Sequence, residues 1–354
     1  MPSPAPRRTL VPTAVLALSA AAGLASAQPA PYEIVVLPDT QFYSETASRF
    51  PNFLNQTNWV RDNVARRNIR FVSHVGDIVQ NGAVLAEWQR ADQAMDILDG
   101  VVPYGAVPGN HDYNITGLKS SGFNNYVANF GAARYAGRAW YGGSDADQRQ
   151  HWQRVDVGGR TYLHIGLDWQ PSSSQLTWAQ NIINQNPGLP VIVSTHEYVQ
   201  DSDGSGLGAG RSSSGEFIWT NFVRPNPNAV MTFNGHFHRG PNGADGETYI
   251  ISANSANLPV HQLHSDYQAY PNGGDGWLRL NRFDERHWTV SVKTWTPSLN
   301  QYQQDYNSQF TIPLDFGARF DNQPASIRSF ALQHGVAGYA GPQDTELTPA
   351  QPGA

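Results

Sequence analysis

Ile69-Arg70-Phe71-Val72-Ser73-His74-Val75-Gly76-Asp77 is a short, β-rich apolar run that stops abruptly at a glycine and a carboxylate. The same design recurs along the chain. Residues 33–37 end at Pro38-Asp39, 104–107 at Pro108-Gly109-Asn110, 162–167 at Asp168, 191–194 at Thr195-His196, and 230–233 at Asn234-Gly235-His236. Stretches of helical period separate these runs. Residues 53–67 carry Phe53, Leu54, Trp59, Val60 and Val64 in a polar background. Residues 84–98 space Leu85, Trp88, Ala91, Met95 and Leu98 by three or four, and 175–184 put Leu176, Ala179 and Ile183 on one side. Strand–helix alternation predicts βαβ units around a central sheet. From Thr248 onward strand-like runs dominate, at 249–252, 276–282 and 288–296, which predicts a second sheet packed on the first.

Nearly every predicted strand ends close to a residue suited to holding a metal: Asp39, Asp77, Asn110, His196, His236 and His238. In open α/β sheets ligands collect outside the carboxyl ends of the strands, so donors delivered there by separate strands converge. Carboxylate, amide and imidazole together suit divalent first-row metals. Taken singly the signals differ in weight. Gly76-Asp77 marks turns everywhere, and His196 alone reads as an ordinary histidine. Gly109-Asn110-His111-Asp112 and Gly235-His236-Phe237-His238 are specific, and the ordered set is the signal.

Composition narrows the class. Of 354 residues 15% are charged, with 33 glycines, 24 prolines and 10 tryptophans, which favours a loop-rich, aromatic-packed globule over a helical bundle. Cysteine is absent, so disulfides, thiolate catalysis, iron–sulfur clusters and Cys-ligated zinc are excluded. A chain of about 300 residues buries roughly 75% of its unfolded surface, enough to fold without such staples. Residues 1–27 hold Arg7 and Arg8, no acidic residue, a small apolar run from Leu10 to Leu24, and the A-x-A sequence Ala25-Ser26-Ala27. That is the form of a cleaved export signal, and the run is short for a membrane span, which needs about 20 residues. The expectation is an exported protein, periplasmic or extracellular, with no membrane span after cleavage. Removing the signal takes two arginines and no acid, so the formal charge moves from −6 to −8. An acidic mature chain is a poor partner for polyanions, and no stable nucleic-acid complex is expected. The remainder reads as one domain over 28–320 and a loosely held tail over 321–354.

The motif set resembles the calcineurin-like metallophosphoesterases, whose motifs run D-x-H, G-D, G-N-H-D/E, H and G-H-x-H. It is closest to a secreted bacterial branch with D-x-Q in the first motif. The features that carry this are Leu37-Pro38-Asp39-Thr40-Gln41, Val75-Gly76-Asp77-Ile78-Val79, Val107-Pro108-Gly109-Asn110-His111-Asp112, Asp266-Tyr267-Gln268 and Gly273-Gly274-Asp275-Gly276-Trp277. The likeness extends over about 32–312. It implies a four-layer α/β/β/α sandwich of two mixed sheets. It also implies two divalent metal ions, among Mn, Fe, Zn, Ni and Ca, bridged by Asp77. One would be held also by Asp39, Gln41 and His238, the other by Asn110, His196 and His236, with His111 as the catalytic histidine.

The activity implied is hydrolysis of phosphate mono- or diesters by a hydroxide bridging the metals, with His111 protonating the leaving oxygen or stabilising its developing charge. The alternatives are a nucleotide-directed phosphodiesterase or nuclease, and a non-catalytic binding module on the same fold. Gln41 departs from the commoner histidine. If the strand continues past Asp39, Gln41 points to the same side two residues on and reaches the same metal, making that position harder. Purple acid phosphatases resemble this family but place a tyrosine three residues after the bridging Asp, where this chain has Gln80. A purple ferric centre is therefore not expected. Asp112 orients His111 or ties its loop. His74 reads as a buried support, Asp168 as a residue of the site rim, and Asn234 and Arg239 as flanking contacts. His261, His264 and Asp266 are expected on a surface loop. The loops at 113–143 and 201–214 are expected to set specificity.

Overall fold

The computed structural model describes Met1 and residues 30–201, 208–238 and 246–321. All but Met1 of the segment read as an export signal, most of the segment read as a tail, and Arg239 lie outside these residues. Two large sheets form the centre. The first has the strand order Gln301–Tyr302, Thr289–Thr296, Leu278–Asp284, Tyr32–Leu37, Ile69–His74, Tyr104–Ala106, with Gln309–Pro313 also pairing Thr289–Thr296. The second runs Glu247–Ala253, Pro259–Ser265, Ala229–Asn234, Val191–Ser194, Thr161–Gly166, His151–Asp156, Tyr141–Ser144. Both are mixed: Tyr32–Leu37 pairs parallel with Ile69–His74 and antiparallel with Leu278–Asp284.

Alternation along the strands sorts side chains into layers. On the first strand Tyr32, Ile34 and Val36 face the space between the sheets, where they meet Ile192, Val230, Phe233 and Leu263. Val35 and Leu37 face the other way, onto Phe53, Val60 and Trp88 of helices Phe50–Arg67 and Leu85–Met95. Beyond the second sheet, Leu163, Ile165 and Val193 pack under Leu176, Ala179 and Ile183 of helix Ser173–Gln185. The order is helix, sheet, sheet, helix, as the resemblance implied.

Local chemistry places the ends of the helices. Ser172 and Gln175 form a reciprocal capping box before Ser173–Gln185. Helix Phe50–Arg67 starts with proline in its first turn and ends at Asn68, whose φ of 55° is left-handed. A polar link crosses between the sheets: Ser73 and Ser194 share a 2.7 Å hydrogen bond, and His164 Nε2 lies 2.8 Å from Ser194 Oγ. It joins the two strands whose next few residues are Asp77 and His196.

The loop expected at 113–143 contains helix Asn124–Phe130 and two 3-10 turns, Lys119–Ser121 and Ala132–Tyr135. Of the loop expected at 201–214, the described residues include an antiparallel pairing of Val199–Asp201 with Ala209–Arg211, then a helix capped by Ser212.

Candidate metal centre

The parallel strands of both sheets end at one edge. The first sheet delivers Asp39 after Leu37, Asp77 after His74, and Asn110 with His111 after Ala106. The second delivers His196 after Ser194 and His236 after Asn234. Asp77, His196 and His236 present ligand atoms that all lie within 4.8 Å of one another. Asp77 has φ 47° and His236 φ 81°, so two of the three sit in a backbone region unfavourable for such residues. Strain of this kind persists where the surroundings fix it, and functional sites are where it collects.

His196 is the hub. Its ring is fully buried, and Nδ1–H donates to the Val75 carbonyl at 3.0 Å. Nε2 then faces Asp77 Oδ2 at 3.2 Å, Asn110 Oδ1 at 3.0 Å and His236 Nδ1 at 3.1 Å. Three electron-rich atoms converge on a ring nitrogen whose lone pair already points at them. A cation, whether a proton or a metal, satisfies all of these atoms at once. Without metal the proton is favoured: burial lowers the His196 pKa, but Asp77 outweighs it and the net shift is upward. Conversely, burial raises Asp77 while His196 and His111 bring it below the ordinary carboxylate value. His236 is pushed down to about 4 by burial and by His196, so its nitrogen stays available as a donor.

Asp39 adjoins this group. Its Oδ2 accepts from the His236 amide at 3.0 Å, and its Oδ1 is buried with no hydrogen-bond partner. Two glycines permit this crowding. A Cβ on Gly235 would lie 2.0 Å from Asp39 Oδ1, and one on Gly109 would lie 2.1 Å from Asp77 Oδ1. Gln41 is buried and its Oε1 also lacks a partner. An orphaned buried amide oxygen costs about 1–3 kcal/mol unless something satisfies it. His238 is exposed at the edge of the group. The donor set, oxygens and imidazoles with two orphaned acceptors, fits divalent cations.

The chain does not stay extended past Asp39, contrary to expectation. Thr40 has φ −100° and ψ 7°, and Gln41 opens the short helix Gln41–Glu45. Strand alternation therefore says nothing about where Gln41 points. Thr40 supplies the reason for the turn: its hydroxyl donates to the Ile78 carbonyl and meets His74 Nε2 at 2.9 Å. His74 Nδ1 accepts from the Gly76 amide, so Nε2 carries the proton. Burial, then His196, push His74 down to about 3. It is a neutral buried support, as read from the sequence.

His111 is half-buried. Its amide donates to Asp77 Oδ1 at 2.9 Å and its Nδ1 donates to the Gln80 carbonyl at 2.8 Å, which leaves Nε2 as the ring atom open to substrate. Asp112 does not touch the His111 ring. Its two oxygens accept from the amides of Val79 and Gly109, tying the two motif loops together, and burial with Asp77 nearby raises it to about 7. Asn234 is a clip, paired with both backbone groups of Val199 and lying 3.1 Å from His264 Nδ1.

A residue profile of the family described as calcineurin-like phosphoesterase matches residues 32–240, which takes in Asp39, Gln41, Asp77, Asn110, His111, His196, His236 and His238. The chain belongs to that family. Members of that family are metal-dependent, typically on two ions, and phosphoester hydrolysis is the family's general chemistry. A curated relative from Bacillus subtilis (strain 168), named Uncharacterized protein YvnB, is 34% identical over 296 residues. The match takes in 81% of this chain but 22% of that protein, so this chain spans about a fifth of the relative's length. Among solved structures, purple acid phosphatase PPD1 from yellow lupin (Lupinus luteus) seeds superposes with a TM-score of 0.51 at 16% identity, over 82% of this chain and 55% of that one. At that identity the likeness is one of fold.

Reading the sequence missed part of the rim. Asp168 is fully buried and accepts from Tyr113 Oη at 2.5 Å, Lys119 Nζ at 3.0 Å and Gln175 Nε2 at 3.0 Å, while Arg149 Nη1 lies 3.2 Å away. Lys119 also lies over the Trp169 ring, and Trp169 Nε1 donates to Glu197, the neighbour of His196. Arg149 also pairs with Asp147, and Glu197 lies on the same wall, so carboxylates match the two cations there. His261 and His264 are buried on strand Pro259–Ser265, and Asp266 is buried just after it, so none of them is on a surface loop.

Proposed function

We propose that the protein is an exported, binuclear metal-dependent phosphoesterase acting on phosphate mono- or diesters. The observation that carries this reading is the convergence of Asp77, Asn110 and His236 on the lone pair of His196. Asp77 is the residue positioned to serve both ions. Asn110, His196 and His236 would hold one, and Asp39, Gln41 and His238 the other. Two bound divalent cations would neutralise the phosphate oxygens and make a water acidic enough to attack near neutral pH.

The chain's own groups do the rest. His111, held through Nδ1 by Gln80, offers Nε2 to the leaving oxygen and gives it a proton. Asp77 holds the His111 backbone in place. Export rests on the pattern of residues 1–27, and the catalytic domain proposed is 28–320. No helix among the described residues is long and apolar enough to cross a membrane.

The test is a panel of p-nitrophenyl phosphate and bis(p-nitrophenyl) phosphate on metal-free protein reloaded separately with Mn, Zn, Fe, Ni and Ca. Hydrolysis with at least one metal, lost on chelation and absent in Asp77→Ala, supports the reading. No hydrolysis of either ester with any metal overturns it.

A further inference from the structure

The rule that strand ends deliver metal donors has one further instance. Strand Pro259–Ser265 pairs parallel with Ala229–Asn234, in a register that sets Asn234 beside His264. Asp266 therefore leaves the same sheet edge, alongside Gly235 and His236. It is fully buried, and it lies close enough to Asp39 and His238 for their charges to act on it. Gln268 holds it from the other side: the Gln268 amide N–H donates to Oδ1 at 2.9 Å and Nε2 to Oδ2 at 3.1 Å.

Two neighbouring carboxylates out of water stay ionised together only with a cation between or beside them; otherwise one of them holds a proton. Among the described residues no Lys or Arg forms an ion pair with either, and no donor reaches Asp39 Oδ1. The Gln41 Oε1 atom is a second buried oxygen without a partner. These oxygens are accounted for if they line a cation position.

We propose that Asp266 is a metal-holding carboxylate, completing the position of Asp39, Gln41 and His238. This rests on the two-metal reading and deepens it. The two positions then differ in kind. The one with Asp266 is dominated by oxygen, from Asp39, Asp77, Gln41 and Asp266, with one imidazole. The other has two imidazoles and Asn110 beside Asp77. Oxygen donors select hard cations such as Mn or Ca, and imidazoles suit Zn or Fe. The centre is thus built for two different metals, and Asp266 supplies the charge that a neutral Gln41 does not.

Metal titration of metal-free wild type and Asp266→Asn by calorimetry, with Mn and with Zn, tests this. Wild type should take up two equivalents. In the variant one Mn equivalent should weaken at least about tenfold while the other position keeps its Zn affinity. Metal-free thermal stability should not fall, because one of two neighbouring buried carboxylates has been removed. Unchanged Mn affinity overturns the proposal, as does an equal loss of both metals together with a lower metal-free melting temperature, which is the mark of a merely structural residue. If Asp266→Asn fails to fold, Gln268→Ala carries the test, since it removes the amide that orients Asp266 and leaves every proposed ligand. At least a threefold loss of Mn affinity is expected there, and none overturns the proposal. A wild type that binds no metal defeats the two-metal reading itself, which separates the two failures.

Discussion

Gly109→Ala puts the geometry of the centre under direct strain. Gly109 needs no unusual φ, so the effect of a methyl there is steric. The added Cβ would lie 2.1 Å from Asp77 Oδ1 and 2.4 Å from the Asp77 amide nitrogen. Non-bonded heavy atoms settle near about 3.5 Å, so Asp77 must retreat by more than about 1 Å. The nitrogen is backbone, and a side-chain rotation alone does not relieve the clash. Overpacking of this kind costs about 1–3 kcal/mol. A displacement of about 1 Å at a reacting centre costs about 100-fold in rate. Asp77 Oδ1 also accepts from the His111 amide, so the shift reaches the proposed proton donor as well. The assay is urea unfolding of the metal-free variant, with metal content and turnover measured on reloaded protein. The expectation is a stability loss of about 1–3 kcal/mol, weaker binding of both metals and turnover down about 100-fold. Gly210→Ala is the control, because a Cβ there meets nothing within 4 Å. Gly109→Ala with wild-type metal content and turnover would refute the crowded arrangement around Asp77.

Three further outcomes are expected. Asp77→Ala loses both metals and essentially all hydrolysis, whereas His111→Ala keeps two metals and slows turnover by about 10²–10⁴; elemental analysis beside kinetics checks this, and equal metal loss in the two variants contradicts the assigned roles. Gln41→His leaves the fold intact and tightens Zn at one position only, read by calorimetry against Gln41→Ala; identical Zn binding in wild type and both variants excludes Gln41 as a ligand. The last concerns acid. Burial, then His151, lower His164 to about 3, so its stabilising contribution is complete above the ordinary 6.5 and is lost as pH falls toward 3. At about 1.4 kcal/mol per pH unit, roughly 3 kcal/mol is lost from this group between pH 7 and pH 4. Metal-free His164→Gln should therefore lose less stability than wild type over that interval in urea unfolding; parallel pH profiles count against it.

What was legible in the sequence follows from how the fold is made. Parallel strands end at one edge, and Gly-Asp, Gly-Asn-His-Asp and Gly-His-x-His stand at those ends, so sequence order alone placed the donors on one side. Asp266 also follows a strand end, but the expectation of a surface loop misses its burial. Its strand, Pro259–Ser265, carries His261, Gln262 and His264 as buried residues, and buried polar side chains erase the apolar period that marks a strand. The backbone turn before Gln41 is not legible because Pro38-Asp39-Thr40 looks extended, while the turn into Gln41–Glu45 depends on Thr40 reaching Ile78, a contact no local pattern encodes. Helix Asn124–Phe130 is only seven residues long, too short for a helical period to emerge. The rim pairing of Lys119 and Arg149 on Asp168 joins three distant segments and is a tertiary fact.

The central claim is that these residues form a two-metal centre that cleaves phosphoesters. Its most direct test is titration of Mn into metal-free protein while hydrolysis of bis(p-nitrophenyl) phosphate and p-nitrophenyl phosphate is followed. The account predicts that hydrolysis of at least one ester rises with bound metal and levels off at two equivalents per chain. Two bound equivalents with no hydrolysis of either ester, or a rate that levels off at one, would contradict it.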